Sequence, residues 1–180
     1  MFESGSFVAE HVTETDDEQI QPNGVDLTLE AVYEQREPGR IGQDGKEIGE
    51  RQELETESVA LRATEQSSGE PRDMVADDAP ETYYLTPGGY VVQYAETVHI
   101  PENHVGYVYP RSSLLRNSCM LNTAVWDAGY AGKGEGLLEV HHDVELERGA
   151  RIAQLVLAEA DHDGTYAGSY QGENVALDEF

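Results

Sequence analysis

Basic residues are scarce in this chain of 180 residues: 11 Lys+Arg stand against 36 Asp+Glu, a formal net charge of -25. Such a chain cannot spread the cations that displace counterions from nucleic acid. An anionic membrane surface would repel it too. Lysine is scarcer still, with Lys46 and Lys133 the sole pair. An acidic surface so poor in lysine suits a protein that stays hydrated in high salt, where self-repulsion is screened. Cysteine occurs once, as Cys119, so an internal disulfide is impossible and a disulfide-built secreted scaffold is excluded. We read Cys119 as core. No run approaches the roughly 20 apolar residues of a membrane span. The opening MFESGSFVAEH has neither a basic start nor a long apolar run, so it does not read as a signal peptide. A cytoplasmic location is expected. Zinc-type Cys/His spacing, a P-loop and Gly-x-Gly-x-x-Gly are all missing, as is the H-x-E and P-C-x-x-C arrangement of zinc deaminases. His141 and His142 are adjacent, so a strand would point them to opposite faces. His162, between Asp161 and Asp163, reads as a solvated loop.

Enough apolar material is present for a core. Hydrophobic residues make up 38% of the chain and ten tyrosines are available for packing, which argues against a disordered acidic protein. The length fits one domain, here residues 1–160, followed by a polar tail over 161–180. Apolar and polar residues alternate at period two through Val25-Asp26-Leu27-Thr28-Leu29-Glu30-Ala31-Val32, the pattern of a strand. Stretches 83–85, 90–94, 105–109, 136–140 and 151–158 read the same way, separated by turn residues. Short strands at this spacing predict an all-β barrel or sandwich. Between them, residues 34–80 are rich in Glu, Gln, Gly and Ser, with Val59-Ala60-Leu61 their one apolar run. We expect a long hairpin or acidic insertion there, solvated and without chemistry. One short helix is expected near Ser112 or Ser113, where serine can cap free N–H groups.

Three segments could carry chemistry. Pro110-Arg111-Ser112-Ser113-Leu114-Leu115-Arg116 sets two arginines around two hydroxyls at a helix start. Free N–H groups, helix dipole and forked arginine contacts all suit a phosphate. Read alone, the pattern is equally an ordinary capped helix with solvated arginines. Against that, five of the 11 basic residues fall within 110–151. The second segment, Asn122-Thr123-Ala124-Val125-Trp126-Asp127-Ala128-Gly129-Tyr130-Ala131-Gly132, carries an aspartate that could orient a water as a general base. Taken alone, Asp127 is more simply a turn residue and Tyr130 core. The third, Arg148-Gly149-Ala150-Arg151-Ile152-Ala153-Gln154-Leu155, feeds a strand in which Gln154 needs a polar partner if buried.

Taken in order, these segments resemble the dUTPase / dCTP deaminase superfamily. Gln21-Pro22-Asn23-Gly24-Val25-Asp26-Leu27 is similar to its first motif in deaminase-like form, and 110–114 to its PRSSL phosphate motif. Residues 126–132 are similar to its third motif, 148–155 to its G-x-R-I-A-Q-L motif, and Tyr170-Gln171-Gly172-Glu173 to the tail of the deaminase branch. The resemblance implies a distorted jelly-roll β-barrel, a homotrimer with active sites between subunits, and a deoxynucleoside triphosphate substrate with Mg²⁺ held by its phosphates. It implies that Arg111, Ser112, Ser113, Arg116 and Gln154 bind phosphates. Asn122, Thr123, Ala124 and Val125 would line the pyrimidine pocket, Tyr130 would pack under the deoxyribose, and Tyr170 and Gln171 would contact substrate from the tail, which would close over the site. Asp127 would orient the hydrolytic water. A deaminase uses a glutamate that, aligned without gaps from Asp127, falls on Leu137. Glu135 and Glu139 share a strand face with Leu137, so a bulge could bring either into the site. The resemblance therefore implies hydrolysis of dUTP to dUMP and pyrophosphate first, zinc-independent dCTP deamination or both activities second. A deoxynucleotide-sensing barrel without turnover is the non-enzyme alternative. Residues 174–180 hold no Arg, Lys or Gly, whereas the dUTPase tail carries them.

Overall fold

A computed structural model of the chain describes residues 1–13, 15–58 and 79–175; Val59-Ala60-Leu61 lies outside them. The elements begin with α1 (Gly5–Ala9), β1 (Ile20–Gln21), β2 (Gly24–Gln35), β3 (Arg40–Gly42), β4 (Gly45–Glu47), β5 (Arg51–Glu53) and β6 (Glu57–Ser58). Then come β7 (Glu81–Leu85), β8 (Gly88–Tyr94), β9 (Val98–His99), β10 (His104–Pro110) and α2 (Ser112–Arg116). The last are β11 (Cys119–Asn122), β12 (Ala131–Gly132), β13 (Glu135–Val140), β14 (Val144–Glu147) and β15 (Arg151–Glu159). The strands expected from alternation are all present, and the chain is mostly β.

Strand β2 is the spine, because its alternation lets it serve two neighbours at once. Val25, Leu27, Leu29 and Val32 are wholly buried, each such side chain worth about 1.5–3 kcal/mol of transfer free energy. It pairs antiparallel with β15 along its first half and with β8 along its second. The main sheet runs β10-β15-β2-β8-β13-β11. Its outer strands are drawn together by the segment after β11. Gly106 and Trp126 exchange two backbone hydrogen bonds, 2.8 and 3.1 Å, and Thr123 Oγ1 donates to Val108 O at 3.0 Å. The sheet thereby nearly closes into the expected barrel. Cys119 is buried, as expected of a core thiol.

Three local expectations need correction. A second helix exists: α1 begins at Ser4, whose Oγ accepts from Phe7 N, a five-residue turn too short to show helical periodicity. At α2 the N-cap is Arg111, with no side-chain cap bond, so neither serine caps it. The acidic stretch 34–80 is not wholly detached either. Strand β5 pairs with β2 at Tyr33–Gln35 through Glu53, Gln52 and Arg51, and β6 pairs with β7. Between β2 and β5, Arg40–Gly42 and Gly45–Glu47 form a short hairpin. His141 and His142 fall in an exposed bend after β13, not in the strand.

Candidate active site

Asp127, Ala128, Gly129 and Tyr130 form a tight turn closed by Tyr130 N donating to Asp127 O at 3.1 Å. Gly129 has φ +83, as a type II turn needs at its third position. The turn leaves the Asp127 carboxylate exposed and drives the Tyr130 ring inward, 6% exposed. Tyr130 tilts against Trp126 (5.2 Å between ring centroids) and meets Tyr166 edge-on (5.7 Å). Beside this turn opens a cavity of about 590 Å³. Asn122, Thr123, Ala124, Val125, Asp127, Tyr130 and Tyr170 all line it. So do Gln35, Ile48, Arg51, Glu135, Leu137, Glu173 and Asn174.

Three carboxylates reach the cavity and they differ in company. Glu135 is gripped by the Arg51 fork (Nη1–Oε2 2.6 Å, Nη2–Oε1 3.2 Å) and receives Asn174 Nδ2 at 3.3 Å. Glu173 accepts the Tyr130 hydroxyl at 2.7 Å. Burial pushes the Glu173 carboxyl above the usual range, although the Tyr130 hydrogen bond pulls it down. Burial also pushes the Tyr130 phenol up. The Asp127 carboxylate takes no protein hydrogen bond or ion pair among the described residues.

Strand β13 pairs with β8 and β11 without a bulge. Its face therefore presents Glu135, Leu137 and Glu139 in strict order. Leu137 lines the cavity; Glu139 does not, and it accepts Asn122 Nδ2 at 3.0 Å. The shift that would put Glu139 into the site is absent, and Glu135 arrives there already paired.

The phosphate motif stands elsewhere. None of Arg111, Ser112, Ser113, Arg116 or Gln154 lines this cavity. Arg111 is ion-paired with buried Asp26 of β2, and Arg151 lies 3.7 Å from the same carboxylate. Burial raises the Asp26 carboxyl, with Arg111 and then Arg151 opposing. Gln154 is register partner to Asp26 and is half-buried. Its amide and the hydroxyls of Ser112 and Ser113 have no protein partner among the described residues. Arg116 is exposed and donates to Ser112 O at 3.3 Å. One chain thus holds a polar cluster and a cavity that do not join into a single pocket.

The tail packs against the aspartate turn. Tyr166 N donates to Ala128 O at 2.7 Å and Gly172 N to Ala131 O at 2.8 Å. Gln171 brackets the turn, its Nε2 on Gly129 O (3.1 Å) and its Oε1 under Ala131 N (3.3 Å). Lys46 of the hairpin sits 3.7 Å above the Tyr170 ring. The sequence reading missed Arg51, placed in a stretch assigned no chemistry, and Glu173, quoted without a role. That stretch holds six of the chain's 11 basic residues, so nothing in the sequence singled out Arg51. No group of three or more His, Cys, Asp or Glu poised to hold a metal occurs among the described residues. No helix of theirs is long and apolar enough to cross a membrane.

A family model of dCTP deaminase-like proteins matches residues 4–160. The chain is 59% identical over 173 residues to the "Probable deoxyuridine 5'-triphosphate nucleotidohydrolase" of Halobacterium salinarum, covering 96% of this chain and 95% of the relative. A protein of the same name from Aeropyrum pernix is 37% identical over 160 residues, 87% of each chain. The 2'-deoxycytidine 5'-triphosphate deaminase of Agrobacterium tumefaciens shares the fold, at a TM-score of 0.60 and 15% identity over 88% of this chain and 48% of that one. With barrel, turn and polar cluster where the motifs require them, the chain belongs to the dCTP deaminase-like family.

Proposed function

We propose that this protein hydrolyses dUTP to dUMP and pyrophosphate, as a cytoplasmic homotrimer. The observation that carries the reading is the cavity's division of carboxylates. Glu135 and Glu173 are occupied by Arg51 and Tyr130, Leu137 has no proton to give, and Asp127 alone of the cavity acids is unpaired. A lone base beside an apolar residue suits activation of water. The identity to named nucleotidohydrolases over nearly the full chain supports the same substrate.

The uracil would enter between 122–125 and Leu137, with the deoxyribose against the Tyr130 ring. Asp127 would hold a water in line with the α-phosphorus and take its proton as the oxygen–phosphorus bond forms. The bond to the bridging oxygen breaks opposite, and pyrophosphate leaves. Arg111, Arg116, Ser112, Ser113 and Gln154 would bind the triphosphate. Because they lie outside the Asp127 cavity, they would come from a second copy of the chain, which supports the homotrimer. Arginines offer a cation no ligand, and Asp127 is the one unpaired cavity carboxylate among the described residues, so Mg²⁺ would be held by the phosphates of the substrate. Bound there, the ion would neutralise charge on the leaving pyrophosphate.

Pyrophosphate release from dUTP, dCTP and dTTP in high-KCl buffer, with ammonia followed from dCTP, tests this. Release from dUTP without ammonia from dCTP is expected. Asp127→Asn should lower kcat at least about 10²-fold while nucleotide binding persists. Full activity in Asp127→Asn, or ammonia at a rate like that of dUTP hydrolysis, would overturn it. Binding of dUTP without turnover in the unmodified protein would point to a sensor.

A further inference from the structure

The geometry points to Glu173 as a positioning residue that fixes the Tyr130 ring and locks the tail onto the Asp127 turn. The inference rests on the dUTP reading for its substrate and on the fold alone for its contact. Tyr130 has Trp126 and Tyr166 as ring neighbours, at 5.2 and 5.7 Å. Neither offers its hydroxyl a hydrogen-bond partner that the structure records. Its polar contact is the 2.7 Å bond to Glu173 Oε1, across 43 residues of chain. The same residue ties its backbone to the opposite side of the turn, its carbonyl accepting Lys133 N at 3.0 Å. One residue therefore holds both the ring that faces the sugar and the strand that follows it.

The local sequence is shaped to admit this contact. A Cβ at Gly132 would come 3.0 Å from the Tyr130 hydroxyl and 3.2 Å from Glu173 N and O. A side chain there would make the Tyr130 hydroxyl and the Glu173 backbone give by a few tenths of an ångström. The neighbour Asn174 extends the grip, donating to Lys133 O (2.9 Å) and Glu135 Oε1 (3.3 Å). Around the Glu173 carboxylate stand Glu135 on β13, Arg51 on β5 and Lys46 on the hairpin. A half-buried tail glutamate whose carboxylate holds the Tyr130 hydroxyl is hard to explain as surface decoration. Its oxygen is needed as an acceptor, and its charge is incidental to that.

Acceptor and charge can be separated. Glu173→Gln keeps an acceptor oxygen and drops the charge; Glu173→Ala drops both. Kinetics of pyrophosphate release should show KM for dUTP raised about tenfold in Glu173→Ala, the effect of losing one such bond. Preference for dUTP over UTP should narrow as well. Glu173→Gln should restore KM to within about twofold of the unmodified protein. Glu173→Ala combined with Tyr130→Phe should be no worse than the poorer single variant, because both remove one interaction. A KM unchanged in Glu173→Ala, strictly additive effects, or Glu173→Gln as impaired as Glu173→Ala would overturn the inference. Amide exchange gives a readout that needs no substrate. The N–H groups of Gly172 and Lys133, which bridge tail and turn, should exchange faster in Glu173→Ala and not in Glu173→Gln. If the unmodified protein releases no pyrophosphate from dUTP, the functional reading fails and the exchange result still decides the role of Glu173.

Discussion

Replacing Arg51 with glutamine should cost both stability and substrate affinity. Arg51 sits at the start of β5 in the acidic stretch, and its fork holds Glu135 through two bonds of 2.6 and 3.2 Å. The side chains are 26% and 22% exposed, so solvent screens the pair only in part. Hydrogen bonds to charged groups contribute about 1.5–3 kcal/mol and exposed ion pairs about 0–1 kcal/mol. A two-bond fork this far from solvent falls in the lower part of the first range, at about 2 kcal/mol. For a chain of this size 1 kcal/mol moves Tm by about 2–4 °C, so Arg51→Gln should melt about 4–8 °C lower. The freed Glu135 carboxylate would face an incoming triphosphate, and KM for dUTP should rise. Thermal unfolding in fixed KCl, with Glu135→Gln and the double variant completing a cycle, isolates the pair. A coupling of about 1–2 kcal/mol is expected. Coupling under about 0.3 kcal/mol, with Arg51→Gln equally harmful whether or not Glu135 is charged, would refute the fork as the link between arm and barrel.

Two further outcomes follow from charge. Hydrolysis of dUTP should rise with KCl toward the molar range, because screening relieves repulsion between a protein of net charge -25 and an anionic substrate; steady decline from low salt would count against the solvent-adaptation reading. The Glu173 carboxyl is raised by burial, so between its usual and its raised value the folded chain binds more proton than the unfolded one. Stability from this group is therefore present below the usual glutamate range and lost as pH rises through the raised value. Amide protection at Gly172 should fall across that window in the unmodified protein and stay flat in Glu173→Gln.

Much of the barrel was legible along the chain. Alternation in 25–32 and 151–158 marks strands whose inward residues are now buried. Gly129 marks a turn that presents Asp127. These features are written within a few neighbouring residues, since side-chain period and turn chemistry act locally. The two short failures were local as well: α1 is below the length at which helical spacing can be read, and Arg111 rather than serine caps α2.

The sequence by itself determined an acidic β-barrel, the aspartate turn, the arginine–serine segment and the family to which their order belongs. Tertiary structure decided which groups keep company. Arg51 meets Glu135 across 84 residues, and Tyr130 meets Glu173 across 43. No local pattern encodes such pairs, which form only when the sheet assembles and the tail docks on the Asp127 turn. The unbroken register of β13 decided that Leu137 faces the cavity while Glu139 turns to Asn122. One residue of slippage would have exchanged every side chain on that strand between its two faces. The same pairing set the arginine–serine segment outside the aspartate cavity of its own chain.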